Sequence, residues 1–195
     1  MKPDNGRARR DSVERAHLKD PRDASHVIYR YAPSRDLTSL LRRFWVPVWS
    51  VPPGQEAPQK VLQYPVCLVV VSGDYARFYG VVSGLSTTRL VGQGWAVGVM
   101  LAPAAGYLLA GPVDAFTDRH VHLPEVLGAG AEGLVERVRT VMADDPHDVT
   151  AHRTALELLC VPKFEVDLEF SGGPSEPGIV DVAVNVSVDG GQRGL

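Results

Sequence analysis

Two cysteines, three methionines and 7% aromatic residues in 195 positions leave this chain short of several kinds of chemistry. Cys67 and Cys160 are too few for a disulfide framework and stand at no metal-ligand spacing, so both are expected as buried thiols in apolar runs. No run approaches the ~18 consecutive apolar residues that cross a bilayer, which excludes a helical membrane span. Met1 to Arg10 is polar and charged where a secretory signal would be apolar, so a cytoplasmic protein is expected. There is no G-x-S-x-G nucleophile elbow. The Gly92-x-Gly94 run precedes a strand rather than a helix, so it lacks the helix N-terminus of a phosphate-cradling loop. Basic residues are scarce at one end. Residues 144–195 hold 3 Lys+Arg against 10 Asp+Glu, while residues 1–143 hold 17 against 13. Affinity for nucleic acid comes mainly from neutralised phosphates, so the acidic end is a poor DNA contact.

What is present reads as three segments. Residues 1–25 carry seven Lys/Arg, five Asp/Glu and no Phe, Tyr or Trp. Such a stretch cannot bury enough apolar surface to offset its ordering entropy, and a disordered tail is expected. From His26 the pattern turns to short strands: Val27–Tyr31, Phe44–Val51, Lys60–Tyr64, Cys67–Val71, Tyr75–Val82, Thr88–Val91 and Trp95–Leu101. Thr38–Arg43 reads as a short helix. Pro47 confines its strand to an edge or a bulge. Ser72-Gly73-Asp74 closes a hairpin. Ala131–Ala143 has helical periodicity, with Leu134, Val138, Val141 and Met142 on one stripe that covers either the barrel or a partner helix. Asp145 and Pro146 then start a second helix running to about Cys160. The acidic extension 144–195 ends in two alternating segments, Phe164–Phe170 and Val182–Val188. The expected fold is mainly β with C-terminal helices (α+β), as a cupin-like barrel or a β-sandwich, with residues 26–143 as its central domain.

The order of features from Tyr31 to Met142 carries a resemblance. Pro33 and Leu37 precede an aromatic strand with Trp45; Leu62 and Pro65 lead to an apolar strand; Gly80 and Gly84 flank a loop; Leu90 and Gly92 come before Gly98–Gly128. In that last block an apolar strand ends at Pro103, a turn closes on Gly106, and Gly111-Pro112 leads to Asp118-Arg119. This order resembles the N-terminal sensor domain of AraC-type bacterial transcription regulators. The resemblance implies a ligand-sensing or dimerising module rather than an enzyme, acting as a homodimer or by pairing with a full-length regulator. The paired helix-turn-helix units of that family have no counterpart here, because only 52 residues, with 3 Lys+Arg against 10 Asp+Glu, follow Ala143. No direct nucleic-acid binding is therefore expected.

Two constellations remain. His120-x-His122-x-x-Glu125 approaches the H-x-H…Glu set of metal-binding cupins, and a metal-dependent cupin-type enzyme is the rival reading. The Glu stands too close, Pro124 interrupts, and no later His strand completes the set, so neither metal nor cofactor is expected. The aromatic residues suggest a pocket. Trp45 and Trp49 share one side of a strand, as do Tyr75 and Tyr79. The expected seat for a small apolar or aromatic ligand is Trp45, Trp49, Tyr79 and Trp95, with Arg77 placed to fix a carboxylate. The competing expectation is that these rings are core.

Overall fold

Alternation along the strands decides which residues face the core. In Leu41–Ser50, Phe44, Val46 and Val48 are buried while Trp45, Pro47 and Trp49 on the other side are only half-buried. The computed structural model describes residues 17, 18, 20, 22–33, 37–62 and 64–160, with the backbone of 167–171 and 179–187. Most of the expected disordered tail, the linker between the last two strands and the Cys160 side chain lie outside those residues. The described strands are β1 (His26–Ala32), β2 (Leu41–Ser50), β3 (Ala57–Leu62), β4 (Cys67–Ser72), β5 (Ala76–Tyr79), β6 (Leu85–Leu90), β7 (Gln93–Leu101), β8 (His120–His122), β9 (Asp167–Ser171) and β10 (Ile179–Ser187). The helices are α1 (Pro103–Ala110), α2 (Leu123–Leu127), α3 (Ala131–Met142) and α4 (Val149–Cys160).

Eight strands form one sheet in the order β8-β5-β4-β7-β2-β1-β10-β9, and β3 and β6 form a second, two-stranded sheet. The large sheet ends on β8 and β9 rather than closing, so the α+β architecture is sandwich-like. Its pairings are antiparallel except at β1 and β10, which run parallel with Ile28 opposite Ile179. One face of the sheet packs on the helices. Tyr29, Tyr31, Phe44, Val46, Val48, Val69, Val71, Phe78, Val97 and Val99 meet Leu123, Val135, Val138, Met142, Ala155 and Leu156 in a single core. The expected boundary at Ala143 does not interrupt this packing, since α4 contributes Ala155 and Leu156.

The α3 stripe thus covers the chain's own sheet. Val138 and Met142 are fully buried there. Several local expectations need correcting. Thr38–Arg43 is not a helix: one turn, with Leu40 N–H donating to the Leu37 carbonyl, leads directly into β2 at Leu41. Pro47 is not at an edge, because β2 lies between β7 and β1. The β2–β7 ladder pairs Trp45 with Gly98 and resumes in the same register at Val48 and Trp95, so the missing proline donor falls in the gap. The segment read as a turn at Gly106 is the helix α1, started by Pro103 at its first position. Gly106 is there for close approach, since a Cβ would lie 3.0 Å from Cys67 Sγ. The helix stops at Gly111, whose φ of 76° suits glycine. Finally, Asp148 rather than Asp145 caps α4, accepting from the backbone of Thr150 and Ala151.

Candidate functional site

The face of the large sheet turned away from the helices is where most of the expected site residues fall. Side chains alternate on each strand, and the cross-strand register carries that alternation from one strand to the next. Along one row, Arg30 on β1 pairs with Trp45 on β2, Trp45 with Gly98 on β7, Gly98 with Val70 on β4, Val70 with Arg77 on β5, and Arg77 with His122 on β8. The next row toward the end of β7 holds Met100, Leu68, Tyr79 and His120. The middle of this face is buried, with Val70, Ser72 and Ala96 each 2% exposed and Arg30, Arg43 and His26 also buried, whereas Trp45, Trp49, Arg77 and Tyr79 are half-buried and His120 and His122 on β8 are exposed. Part of the cover comes through β3. Gln59 donates to Asp23 Oδ2, and Asp23 stands 3.5 Å from His26 Nδ1. Burial pushes the Asp23 carboxyl up, but hydrogen bonds from Ser25 and Gln59 and the adjacent His26 outweigh it and hold it at about 2.

The floor of the face is made of absent side chains. A Cβ on Gly94 would sit 2.4 Å from Trp49 Cζ2, and one on Gly98 would sit 2.2 Å from Trp45 Cε2. The two indoles therefore lie over the β7 backbone, in space that any larger residue would take. Gly94, Ala96 and Gly98 alternate as small residues opposite Trp49, Pro47 and Trp45. That small-against-large match was readable in the chain and is the signal missed above. Trp49 Nε1 donates to the Val91 carbonyl at 3.3 Å. Trp45 Nε1 is buried with no hydrogen-bond partner among the described residues.

Across Gly98 and Val70 from Trp45 stands a cationic, aromatic group. The Arg77 guanidinium carbon lies 4.7 Å over the Tyr75 ring, and its NH1 donates to Tyr79 Oη at 3.5 Å. Arg77 Nε is buried without a partner, and no carboxylate among the described residues pairs with this guanidinium. Burial above all, with Tyr79 and Asp74 nearby, pushes the Tyr75 hydroxyl up to about 12, although Arg77 works against the shift. Tyr75 therefore stays neutral at physiological pH. His120 packs on Tyr79 with ring centroids 5.2 Å apart. Burial, then the charges of Arg77 and His122, lower its pKa below the ordinary value.

Four of the five expected ligand residues, Trp45, Trp49, Arg77 and Tyr79, therefore share this face. Trp95 does not. It pairs with Val48, and both turn toward the helix side, where Trp95 packs on the core. Glu125 is engaged elsewhere: it accepts from the His122 backbone N–H at 2.9 Å, tying the end of β8 to the first turn of α2. Asp118 pins a loop through Ser83. It accepts from the Ser83 N–H at 2.8 Å and the Ser83 hydroxyl at 2.7 Å, while holding a φ of 56°.

No curated protein and no solved structure matches the chain. The model of a family described as a domain of unknown function (DUF6597) matches residues 29–122, a span from β1 to β8 that includes Trp45, Trp49, Val70, Arg77, Tyr79, Gly94, Gly98, His120 and His122.

Proposed function

We propose that this chain is a small-molecule sensing module, of the kind AraC-type transcription regulators carry, with its ligand seat on the sheet face turned away from the helices. The observation that supports this reading most is the placement of two indoles over Gly94 and Gly98, opposite Tyr75, Tyr79 and Arg77. Here flat aromatic walls meet a glycine floor and two buried donors, which suits a planar apolar or aromatic ligand. The order of motifs from Tyr31 to Met142 supports the relation to the regulators. Pairing with a second copy or with an intact regulator belongs to the same reading, and it uses a surface other than the α3 stripe, which the sheet already covers. The metal-dependent enzyme is the weaker reading. Glu125 is committed to a backbone amide, and a divalent cation at His120 would sit beside the Arg77 charge.

The test is a screen of planar aromatic compounds read by intrinsic tryptophan fluorescence. A ligand at this face perturbs Trp45 and Trp49 emission, and Trp45→Ala weakens its binding while the far-ultraviolet circular dichroism stays native. Saturable ligands whose affinity is indifferent to Trp45 and Trp49 would place the seat elsewhere.

A further inference from the structure

We infer that the seat selects a monoanion, a ligand whose carboxylate is held by Arg77 and whose ring reaches toward the Trp45 indole. This inference rests on the reading of the sheet face as a ligand seat and adds the chemical class of what occupies it. Three observations carry it. First, Arg77 Nε and Trp45 Nε1 are both buried donors without acceptors among the described residues. A donor left unpaired in the interior costs free energy that one acceptor restores. Second, the two residues stand on one row of the sheet, with only Gly98 and Val70 between them. Strands lie ~4.8 Å apart, so three intervals set the two backbones about 14 Å apart along the sheet. The indole leans over Gly98 and the Arg77 side chain extends several ångströms, so the span left suits a small planar molecule with a carboxylate. Third, no carboxylate on the strands of this face from β8 to β2 competes for Arg77. The strand residues of this face from β8 to β2 include Arg43, Arg77, His120 and His122 and no Asp or Glu.

A single charge fits better than two. Arg77 supplies one positive charge beside the Tyr75 and Tyr79 rings. The planar fork of the guanidinium matches a carboxylate, and the neighbouring Tyr75 and Tyr79 rings give the ligand's own ring a place to stack. Arg77 is thus a ligand-binding residue, and Tyr79, donated to by Arg77, positions the fork.

The test compares matched pairs of probes: benzoate with benzamide, 1-naphthoate with 1-naphthamide, and indole-3-carboxylate with its amide, by isothermal titration and tryptophan fluorescence. Each acid is expected to bind at least about tenfold more tightly than its amide, the scale of one charge-assisted hydrogen bond. Arg77→Gln abolishes the preference. Arg77→Lys keeps part of it, and Trp45→Phe weakens the acid while Trp49 and Trp95 still report. Equal binding of acids and amides to the wild type overturns the inference and leaves the seat standing, as does a preference that survives both Arg77 substitutions. Because the acid-to-amide ratio is read first on the unaltered protein, a variant that fails to fold does not spare the inference. Failure of acids and amides alike to bind sinks the ligand seat itself, and the inference with it.

Discussion

A Cβ at position 98 would intrude to 2.2 Å from one indole carbon and 2.6 Å from the indole nitrogen. Gly98→Ala therefore forces Trp45 off its bed; we expect a loss of about 1–3 kcal/mol, the usual range for overpacking, together with a shift in tryptophan emission. Urea denaturation and an emission spectrum check this, and an alanine accepted at full stability with unchanged emission contradicts the placement of the ring. On the other side of the sheet the most consequential single residue is His152. It is fully buried, with Nδ1 2.5 Å from Tyr31 Oη and Nε2 2.7 Å from the Pro146 carbonyl. The carbonyl can only accept, so Nε2 carries the proton and Tyr31 donates to Nδ1, which makes this imidazole neutral. Burial foremost, with His147 adding to it, lowers the His152 pKa, against the opposing pull of Pro146, Asp148 and Asp145. The unfolded chain takes up its proton near pH 6.5, before the folded one, so stability is full above that pH and declines as pH falls below it. Denaturation midpoints between pH 8 and 5.5 are expected to fall toward acid, and His152→Leu to flatten that slope. Tyr31→Phe leaves Nδ1 unsatisfied and costs about 1–3 kcal/mol.

At the level of elements, what the sequence disclosed and what it hid have separate causes. Alternation marks a strand and its two faces, which is why Val27–Tyr31, Cys67–Val71 and Trp95–Leu101 were readable nearly to their ends. It also put Trp45 with Trp49 and Tyr75 with Tyr79 correctly, because those pairs lie within one strand. Trp95 was misassigned because its face depends on the pairing of Val48 with Trp95, a register that no local pattern specifies. Gly106 hid a helix, since a glycine required for contact with Cys67 looks in the sequence like a turn residue. Arg43 and Leu41 concealed the start of β2, since their alternation resembles a helical turn over so few residues. The stripe on α3 was periodic whichever partner it met. The core position of Val138 now decides what its substitution does: Leu134→Asp with Val138→Asp places carboxylates in the interior and is expected to unfold the chain rather than to yield a folded monomer. Circular dichroism distinguishes the two outcomes, and a native spectrum would mean that α3 docks elsewhere. A milder probe is Asp148→Ala, which removes the α4 cap and is expected to lower stability by about 0.5–2 kcal/mol.

For the whole molecule, the acidic C-terminal quarter has a place in the architecture rather than beside it. Its helix α4 completes the core, and β10 extends the main sheet from β1. Removing everything after Cys160 strips the partner from β1 and presents a bare strand edge. The truncated protein is expected to self-associate, as seen by light scattering, and a truncated form that stays monomeric with an unchanged melting temperature would show the added strands to be dispensable. The charge split along the chain leads to a further expectation: purified protein gives no sequence-selective mobility shift with DNA at physiological salt. The parallel seam also bears on how the chain is made. Ile28 finds Ile179 only after the roughly 150 residues between them have left the ribosome, and contacts so distant in sequence close slowly. Until then β1 waits beside β2 with one open side, exposed to other nascent chains. The sheet is thus completed by strands synthesised long after β1, and yield in a cell should depend on the pace of elongation and on chaperones that shield that waiting edge.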